Sequence, residues 1–158
     1  VQIDLNNGRI IAYRPDFLAS RDLNGAHELP LSFSNKIPHV PGSYSGVGGE
    51  FLIDLGSNLG LIFLREYARK TGLDTLATTG GGVTIGGVGG ATTAGNVIVD
   101  EFTLGDLKLQ DFPAVILGEG QGIAASREVA GNLGLVFWRD YLLTLDYPGR
   151  RALITPVN

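Results

Sequence analysis

The chain of 158 residues contains no cysteine and only two histidines. The absence of cysteine excludes disulfide bonds and thiolate metal sites. His27 and His39 do not have the spacing of paired zinc ligands, so we expect surface or structural roles for both and no metal site. No apolar run approaches the ~20 residues of a membrane-spanning helix. Basic residues are not concentrated anywhere, which argues against a nucleic-acid partner.

Glycine is abundant, with 24 residues, while hydrophobic residues make up 44% of the chain and the net charge is −4. A domain of this length buries about 68–70% of its unfolded surface, which is enough for one core. The many glycines favour short strands and tight turns over long helices. Strand and turn signals along the chain predict about ten strands and two short helices, and therefore a mostly β domain.

Two segments near the ends of the chain match each other. Residues 3–12 and 145–154 each contain a strand, a tight turn that begins with aspartate, an arginine after the turn, and a second strand. Each segment therefore predicts a β-hairpin. The match is either chance similarity between short hairpins or the mark of a duplication. In a duplicated protein, residues 1–15 would be the closing hairpin of a preceding copy.

An apolar run that ends in a carboxylate occupies residues 51–57, with the sequence Phe-Leu-Ile-Asp-Leu-Gly-Ser. A buried strand followed by a sharp turn presents Asp54 at the strand end, where functional groups are often placed. An ordinary junction between a strand and a turn explains the same residues, since Asp and Gly are common turn formers. The stretch by itself leaves both interpretations open.

Residues 78–95 are rich in glycine, with β-branched residues on either side of the run 86–90. A phosphate-binding loop would open a helix and usually bring a lysine, and the sequence indicates neither. A flexible hairpin fits better, either as a lid over a ligand or as a plain long hairpin. A serine nucleophile of the hydrolase type is not indicated, because no Gly-x-Ser-x-Gly motif is present.

The order of these elements forms a pattern. The apolar strand with Asp54-x-Gly-Ser is followed by the glycine-rich hairpin, by Gly-Asn-Leu-Gly at 131–134, by one helical turn at 137–141, and by the closing hairpin with Leu-Asp-Tyr at 145–147. From about Leu29 to Pro156 this order resembles the aspartic protease superfamily, specifically the single lobes of retropepsin-like and bacterial pepsin-like members. The resemblance implies a closed, barrel-like β lobe with a flap hairpin and one or two short helices.

The resemblance divides the chain into a hairpin at 1–15 that ends a preceding lobe, a connector at 16–28, and one lobe at 29–158. The chain would then be the C-terminal lobe of a two-lobe protein. The resemblance slightly favours a periplasmic or secreted location.

The resemblance also assigns roles to residues. Asp54 would be the catalytic carboxylate. Leu55, Gly56 and Ser57 would form the active-site loop, with Gly56 allowing the turn and Ser57 donating a hydrogen bond to Asp54. The flap over the substrate would consist of Ile85, Gly86, Gly87, Val88, Gly89 and Gly90.

The implied function is an aspartic endopeptidase that hydrolyses peptide bonds with a water held between two aspartates. One is Asp54, and the other comes from a partner lobe or from a second chain in a homodimer. The implied partners are a peptide or protein substrate and this second lobe, without a nucleic acid, a membrane, a metal or a cofactor.

Leu55 departs from the family pattern, which has Thr or Ser between Asp and Gly. A leucine has no hydroxyl with which to join the two lobes. An alternative is therefore a degenerate lobe that acts as a peptide-binding or dimerisation module. A small β-barrel that binds another ligand and is unrelated to proteases is a third interpretation.

Overall fold

A computed structural model describes residues 1–14, 16, 18, 25–34, 36–87, 90–118 and 128–157. The predicted mostly β class is confirmed. The strands of this part of the chain are β1 (Gln2–Asp4), β2 (Arg9–Ile11), β3 (His27–Pro30), β4 (Ser32–Ser34), β5 (Ile37–Tyr44), β6 (Val47–Asp54), β7 (Leu61–Phe63), β8 (Thr78–Gly87), β9 (Gly90–Leu104), β10 (Leu107–Leu117), β11 (Gly131–Gly134), β12 (Tyr141–Asp146) and β13 (Arg151–Pro156). Helices whose bounds lie in the described ranges are α1 (Arg65–Thr71) and the 3₁₀ helices Leu73–Thr75 and Phe137–Asp140.

Eight strands form the larger sheet in the order β4-β5-β6-β11-β7-β10-β9-β8. A further pairing between β5 and β9 joins the two sides of this sheet. Strands β5, β6, β11, β7, β10 and β9 therefore close into a ring, which accounts for the barrel-like shape expected of the lobe. Closure also removes most of the unpaired strand edges that an open sheet would leave.

Aromatic rings fill the interior of this barrel. Phe51 lies with its ring centroid 4.9 Å from that of Phe102 and 5.9 Å from that of Phe63, both in edge-to-face geometry. Tyr67 of α1 stacks on Phe63 and donates its hydroxyl hydrogen to the carbonyl of Val47. Such pairs contribute about 0.5–1.5 kcal/mol beyond the burial of their area. The ring cluster therefore fixes β6, β7, β9 and α1 relative to one another.

The helical spacing of residues 63–71, with Gly72 after them, predicts a helix that a glycine ends. The structure confirms this helix as Arg65–Thr71, which begins two residues later. Phe63 instead ends the strand Leu61–Phe63, whose residues are buried between β10 and β11. The helix ends at Gly72, which adopts the left-handed conformation with φ of 75° and donates its N–H to Arg69 O. Glycine has no Cβ penalty there, which explains why it is the cap residue.

The glycine- and serine-rich segment 42–49 predicts a hairpin loop, but most of it is strand. Only Ser45 and Gly46 form the turn, both with positive φ, and Tyr44 pairs with Val47 across it. A Cβ on Gly42 would come within 2.9 Å of side chains in the aromatic core, and one on Gly49 would collide with Ala130 and Tyr67. These two glycines therefore serve close packing and not a loop.

The five-stranded sheet has the order β2-β1-β12-β13-β3. It joins the two matching hairpins of the sequence, since β1 of the first pairs with β12 of the second. The predicted connector at 16–28 lies mostly outside the described residues, and His27 and Glu28 at its end belong to β3. No helix in the described part of the chain is long and apolar enough to cross a membrane.

Candidate active site

Asp54 is the last residue of β6, and the turn that follows it is enclosed by two other strands. β6 runs parallel to β11, with Asp54 opposite Gly134, and β11 in turn pairs with β7. The turn is also bonded to the residues after β11, because Leu135 N–H donates to Ser57 O at 2.7 Å. Asp54 therefore lies close to three strands, and β11 and the residues after it hold its turn.

The glycines of the Gly-Asn-Leu-Gly motif allow this close approach. A Cβ on Gly134 would collide with the carbonyl oxygen of Leu59, and a Cβ on Gly131 would collide with that of Ile62. Gly134 also donates its N–H to Gly60 O at 2.8 Å. Close backbone contact between β11 and the Asp54 turn therefore explains why this motif contains glycines.

Two neutral groups hold the Asp54 carboxylate. Gly56 N–H donates to Oδ1 at 3.1 Å, and the side-chain amide of Asn132 donates to Oδ2 at 3.3 Å. Within the described residues, no lysine, arginine or histidine forms an ion pair with Asp54. The carboxylate is half-buried and oriented at both oxygens, but its charge is not neutralised by a cation.

Asn132 is the residue of this site that the sequence interpretation missed. Its side chain is buried, with 5% of the residue exposed, and its Oδ1 has no hydrogen-bond partner in the described part of the chain. A buried amide oxygen without a partner is costly and calls for an explanation. The signal available in the sequence was a single polar residue in an otherwise apolar strand, β11.

The predicted active-site loop, Leu55 to Ser57, follows Asp54 directly in sequence, and its three residues differ in their contacts. Leu55 is half-buried and packs against the core of its own barrel. Gly56 is exposed, and a Cβ there would lie 3.3 Å from Asp54 Oδ1. Ser57 Oγ accepts a weak hydrogen bond from Leu59 N–H at 3.4 Å. Among the described residues, the side-chain donor to Asp54 is Asn132, and a hydrogen bond from Ser57 to Asp54 stays a prediction.

The glycine-rich hairpin consists of β8 and β9, with Gly86 opposite Ala91 and Gly87 opposite Gly90. Val88 and Gly89, which the resemblance places in the flap, lie outside the described residues. Ile85 is half-buried and packs against a second apolar cluster, formed by Leu52, Ile62, Leu64, Ala94, Leu117 and Val129.

Leu52 links this second cluster to Asp54. Residues two apart on a strand point to the same side, so Leu52 and Asp54 share one face of β6. Asn132 is opposite Leu52 on β11 and therefore shares that face as well. Ile85, two residues from the end of β8 at the hairpin tip, thus brings the glycine-rich hairpin onto the face of the sheet that presents the Asp54 carboxylate.

An apolar groove of about 630 Å³ adjoins the Asp54 turn. Leu59 and Gly60 of the turn and Val136 beyond β11 form one wall, and Leu76 and Ile98 are exposed in it. The remaining lining residues are Leu61, Asn96, Val97, Phe112, Pro113, Ala114 and Val115. The groove is suited to apolar groups of a ligand.

His39, for which the sequence left surface and structural roles open, is buried. It lies on β5 opposite Leu52, with 5% of its surface exposed. Burial lowers the pKa of His39, while the charge of Glu50 opposes this shift. In the described part of the chain, no group of three or more His, Asp or Glu side chains is arranged to hold a metal ion.

Comparison with known proteins agrees with this geometry. The model of a family described as aspartyl protease matches residues 40–137, which include both Asp54 and Asn132. Curated protein sequences give no match. Among solved structures, a retropepsin-like aspartic protease from Rickettsia conorii matches with a TM-score of 0.56 and 16% sequence identity, over 82% of this chain and 98% of that one. The retropepsin-like fold is thereby confirmed, and the chain belongs to the aspartyl protease family.

Proposed function

We propose that this chain supplies one of the two carboxylates of an aspartic endopeptidase site, with Asp54 as the catalytic residue. The observation that carries the proposal is the Asp54 carboxylate held at both oxygens by neutral donors, Gly56 and Asn132, with no ion pair to a cation among the described residues. Such a group is oriented for acid–base chemistry.

The chemistry requires a second aspartate from a partner lobe or a second chain. Two carboxylates about 3 Å apart cannot both be ionised, so the pair shares one proton. The ionised member takes a proton from a water between them, and the oxygen of that water attacks the peptide carbonyl. The protonated member donates a hydrogen bond to the oxyanion that forms. Return of a proton to the departing amine breaks the peptide bond.

The substrate class is an extended peptide. The hairpin of β8 and β9 acts as a flap, and its glycines offer backbone hydrogen bonds to a strand-like ligand without side-chain obstruction. Ile85, near its tip, packs on the face that carries Asp54. The apolar groove beside Leu59 and Val136 takes an apolar side chain of the peptide.

The same proposal divides the chain into three segments. Residues 1–15 end a preceding lobe, residues 16–28 connect, and residues 29–158 form the lobe that carries Asp54. The support is the match between the two end hairpins, which pair with each other in one sheet.

Leu55 favours a second candidate, a lobe that binds peptides or a partner lobe without turnover. Its side chain packs into its own barrel and provides no hydroxyl for the opposite lobe. A lobe of this kind keeps the flap and the groove but pairs its aspartates loosely.

Peptide cleavage at mildly acidic pH, with and without a pepstatin-like inhibitor, tests both candidates. The protein is assayed together with its partner lobe, and also alone over a range of concentrations, because a homodimer gains specific activity as it associates. We expect Asp54→Asn to lose at least about a thousandfold in turnover, as removal of a catalytic acid or base does. The matched control is Asp140→Asn, an exposed aspartate on the 3₁₀ helix after β11. Cleavage that survives Asp54→Asn contradicts the assignment, and peptide binding without cleavage supports the second candidate.

A further inference from the structure

Asn132 occupies a position in β11 that suits an apolar residue. Its neighbours across the sheet are Leu52 on β6 and Ile62 on β7, which both belong to the second apolar cluster. Asn132 is buried, and its Oδ1 has no hydrogen-bond partner in the described part of the chain. A leucine, which has the same branched shape, would leave no unsatisfied polar group there. Stability alone therefore does not explain an asparagine at this position.

The two hydrogen bonds that hold Asp54 come from groups of different kinds. Gly56 N–H, which donates to Oδ1 at 3.1 Å, is a backbone group of the same turn and can only donate. The Asn132 amide, which donates to Oδ2 at 3.3 Å, comes from another strand, 78 residues away. The Gly56 contact by itself leaves the carboxyl group free to pivot about Oδ1. The Asn132 contact therefore fixes the plane of the carboxyl group relative to the barrel.

The side-chain amide of Asn132 carries a donor and an acceptor on the same carbon. Rotation of this amide by half a turn exchanges Nδ2 with the unpartnered Oδ1, and Asn132 then accepts a hydrogen bond from a protonated Asp54. Because Gly56 N–H keeps Oδ1 of Asp54 as an acceptor, a proton on Asp54 belongs on Oδ2, the oxygen that faces Asn132. In either orientation one end of the amide contacts Asp54 and the other end stays unpaired, which accounts for the unpartnered oxygen.

We propose that Asn132 is a positioning residue that holds Asp54 in both of its protonation states during peptide hydrolysis. The inference rests on the proposed function, in which an aspartate of the pair gains a proton from water and returns it to the departing amine. Asn132 donates to the carboxylate and, after its amide has turned, accepts from the carboxylic acid. It acts on the reaction through Asp54. The unsatisfied buried amide is then a loss in stability that the orientation of Asp54 requires.

Two variants separate the orientation of Asp54 from stability, with turnover measured in the presence of the partner lobe. Asn132→Leu removes the unsatisfied amide, so we expect the thermal unfolding midpoint to rise by about 2–4 °C. Its kcat should fall by about ten- to a hundredfold, with KM within about twofold of the wild type. Asn132→Gln keeps an amide but adds a methylene to a packed site, so we expect a midpoint lower by about 2–4 °C and a smaller loss in kcat. The two variants therefore rank in opposite order for stability and for turnover.

His39→Leu is the matched control. His39 lies opposite Leu52 on β5, as Asn132 does on β11, and it is also buried with an unpartnered atom, Nε2. Because no hydrogen bond joins His39 to Asp54 in the described part of the chain, we expect kcat of this variant within about twofold of the wild type. An equal loss of kcat in His39→Leu and Asn132→Leu assigns Asn132 a packing role and overturns the proposal. The proposal also fails if Asn132→Leu is the less stable of the two Asn132 variants.

NMR measures the orientation of Asp54 without catalysis, through the three-bond couplings that report its χ1 angle in the full chain. The chemical shift of its carboxyl carbon shows whether Asp54 is ionised or protonated. Glu50 on β6 and His39 on β5, the other titratable side chains on this face of the two strands, are followed in the same spectra, while β7 and β11 contain none.

We expect a single χ1 rotamer of Asp54 in both protonation states of the wild type, and averaging between rotamers in Asn132→Leu. Averaging in the wild type after protonation overturns the proposal, and so does a single rotamer in the leucine variant. These couplings do not depend on cleavage. They therefore test the contact between Asn132 and Asp54 even where cleavage by Asp54→Asn has contradicted the proposed function.

Discussion

Two turns in this chain begin with an aspartate and share part of their hydrogen-bond geometry, but the two aspartates have different surroundings. Asp54 ends β6 and Asp146 ends β12, and each accepts a backbone N–H from a nearby glycine at 3.1 Å. The two aspartates differ in the donor to their second carboxylate oxygen. Asp146 receives Arg151 Nε at 2.9 Å, whereas Asp54 receives the neutral amide of Asn132 at 3.3 Å.

The difference shows how one fold can pair one carboxylate with a cation and hold another with neutral donors. Burial pushes the pKa of Asp146 up, but hydrogen bonds from Arg151 and Gly149, together with the charge of Arg151, hold that pKa below its usual value. Interactions that favour the charged form of Asp146 in this way contribute to stability. Asp54 is oriented at both oxygens by neutral donors, with no ion pair among the described residues, as suits the catalytic role proposed for it.

We expect the largest effect on the free energy of unfolding from a substitution at the close backbone contact of the Asp54 turn, which the Asp146 turn does not have. Gly134→Ala forces a Cβ against the carbonyl of Leu59. Because the obstacle is backbone, we expect a loss of about 3 kcal/mol in the free energy of unfolding. Gly48→Ala is the matched control, since a Cβ there meets nothing within 4 Å, and it should change stability by less than about 1 kcal/mol. Guanidinium unfolding measures both, and equal stability of the two variants would contradict the close approach.

Replacement of each aspartate by asparagine removes its charge, and we expect the two replacements to change stability by different amounts. Asp146→Asn leaves the buried Arg151 contact unsatisfied, and we expect a loss of about 1–3 kcal/mol in stability. Asp54→Asn should stay within about 0.5 kcal/mol of the wild type. The reason is Asn132, whose unpartnered Oδ1 accepts from the new amide after a flip of its side chain.

Thermal unfolding at pH 7 distinguishes these variants. A stability loss in Asp54→Asn as large as that in Asp146→Asn would mean that both carboxylates are structural.

Acid should weaken the structural turns selectively. The pKa of Asp4 is lowered mainly by its hydrogen bonds with Asn7, and the pKa of Asp146 is lowered as described above. A carboxyl with a lowered folded-state pKa stabilises the protein above its unfolded value of 3.8, and this contribution disappears as the pH falls through the folded pKa. We expect unfolding midpoints to drop below about pH 4, and to drop less in Asp146→Asn. An identical pH profile in that variant would exclude Asp146 as a source of the acid sensitivity.

The smallest effect concerns the two arginines. Arg151→Gln removes contacts with Asp146 and Glu28, and we expect a loss of about 1 kcal/mol. Arg9→Gln removes one contact on an exposed side chain, and its effect should be below about 0.5 kcal/mol. Urea unfolding of both variants measures the difference. A reversed order would mean that the second ion pair and the greater burial of Arg151 do not contribute to stability.

Local signals made much of this fold predictable. Asp54 at a strand end, Gly72 at the end of α1 and the two end hairpins were all readable, because each depends on residues within a few positions. The glycines at 42 and 49 were misread as loop residues, since a glycine that serves a turn and one that serves close packing look alike in sequence. Only the position of Ala130 and the aromatic rings distinguishes them.

The contact between Asn132 and Asp54 was not predictable from local pattern. It depends on the parallel register of β6 and β11. No turn or spacing rule connects such distant strands, so a family resemblance supplied Asp54 but not its amide partner. The pairing between β1 and β12 escaped prediction for the same reason, although the similarity of the two hairpins was visible.

The parallel pairing of β6 with β11 also determines when, during folding, the Asp54 contacts can form. Asp54 and Asn132 are separated by 78 residues, so the carboxylate gains its second donor only after a long loop has closed. Contacts of such large sequence separation form slowly, because chain entropy is lost before they contribute. During synthesis the first three strands of the barrel emerge well before β11 does. A nascent chain therefore carries Asp54 before Asn132 can donate to it, and the order of translation delays the assembly of this contact until β11 has joined the barrel.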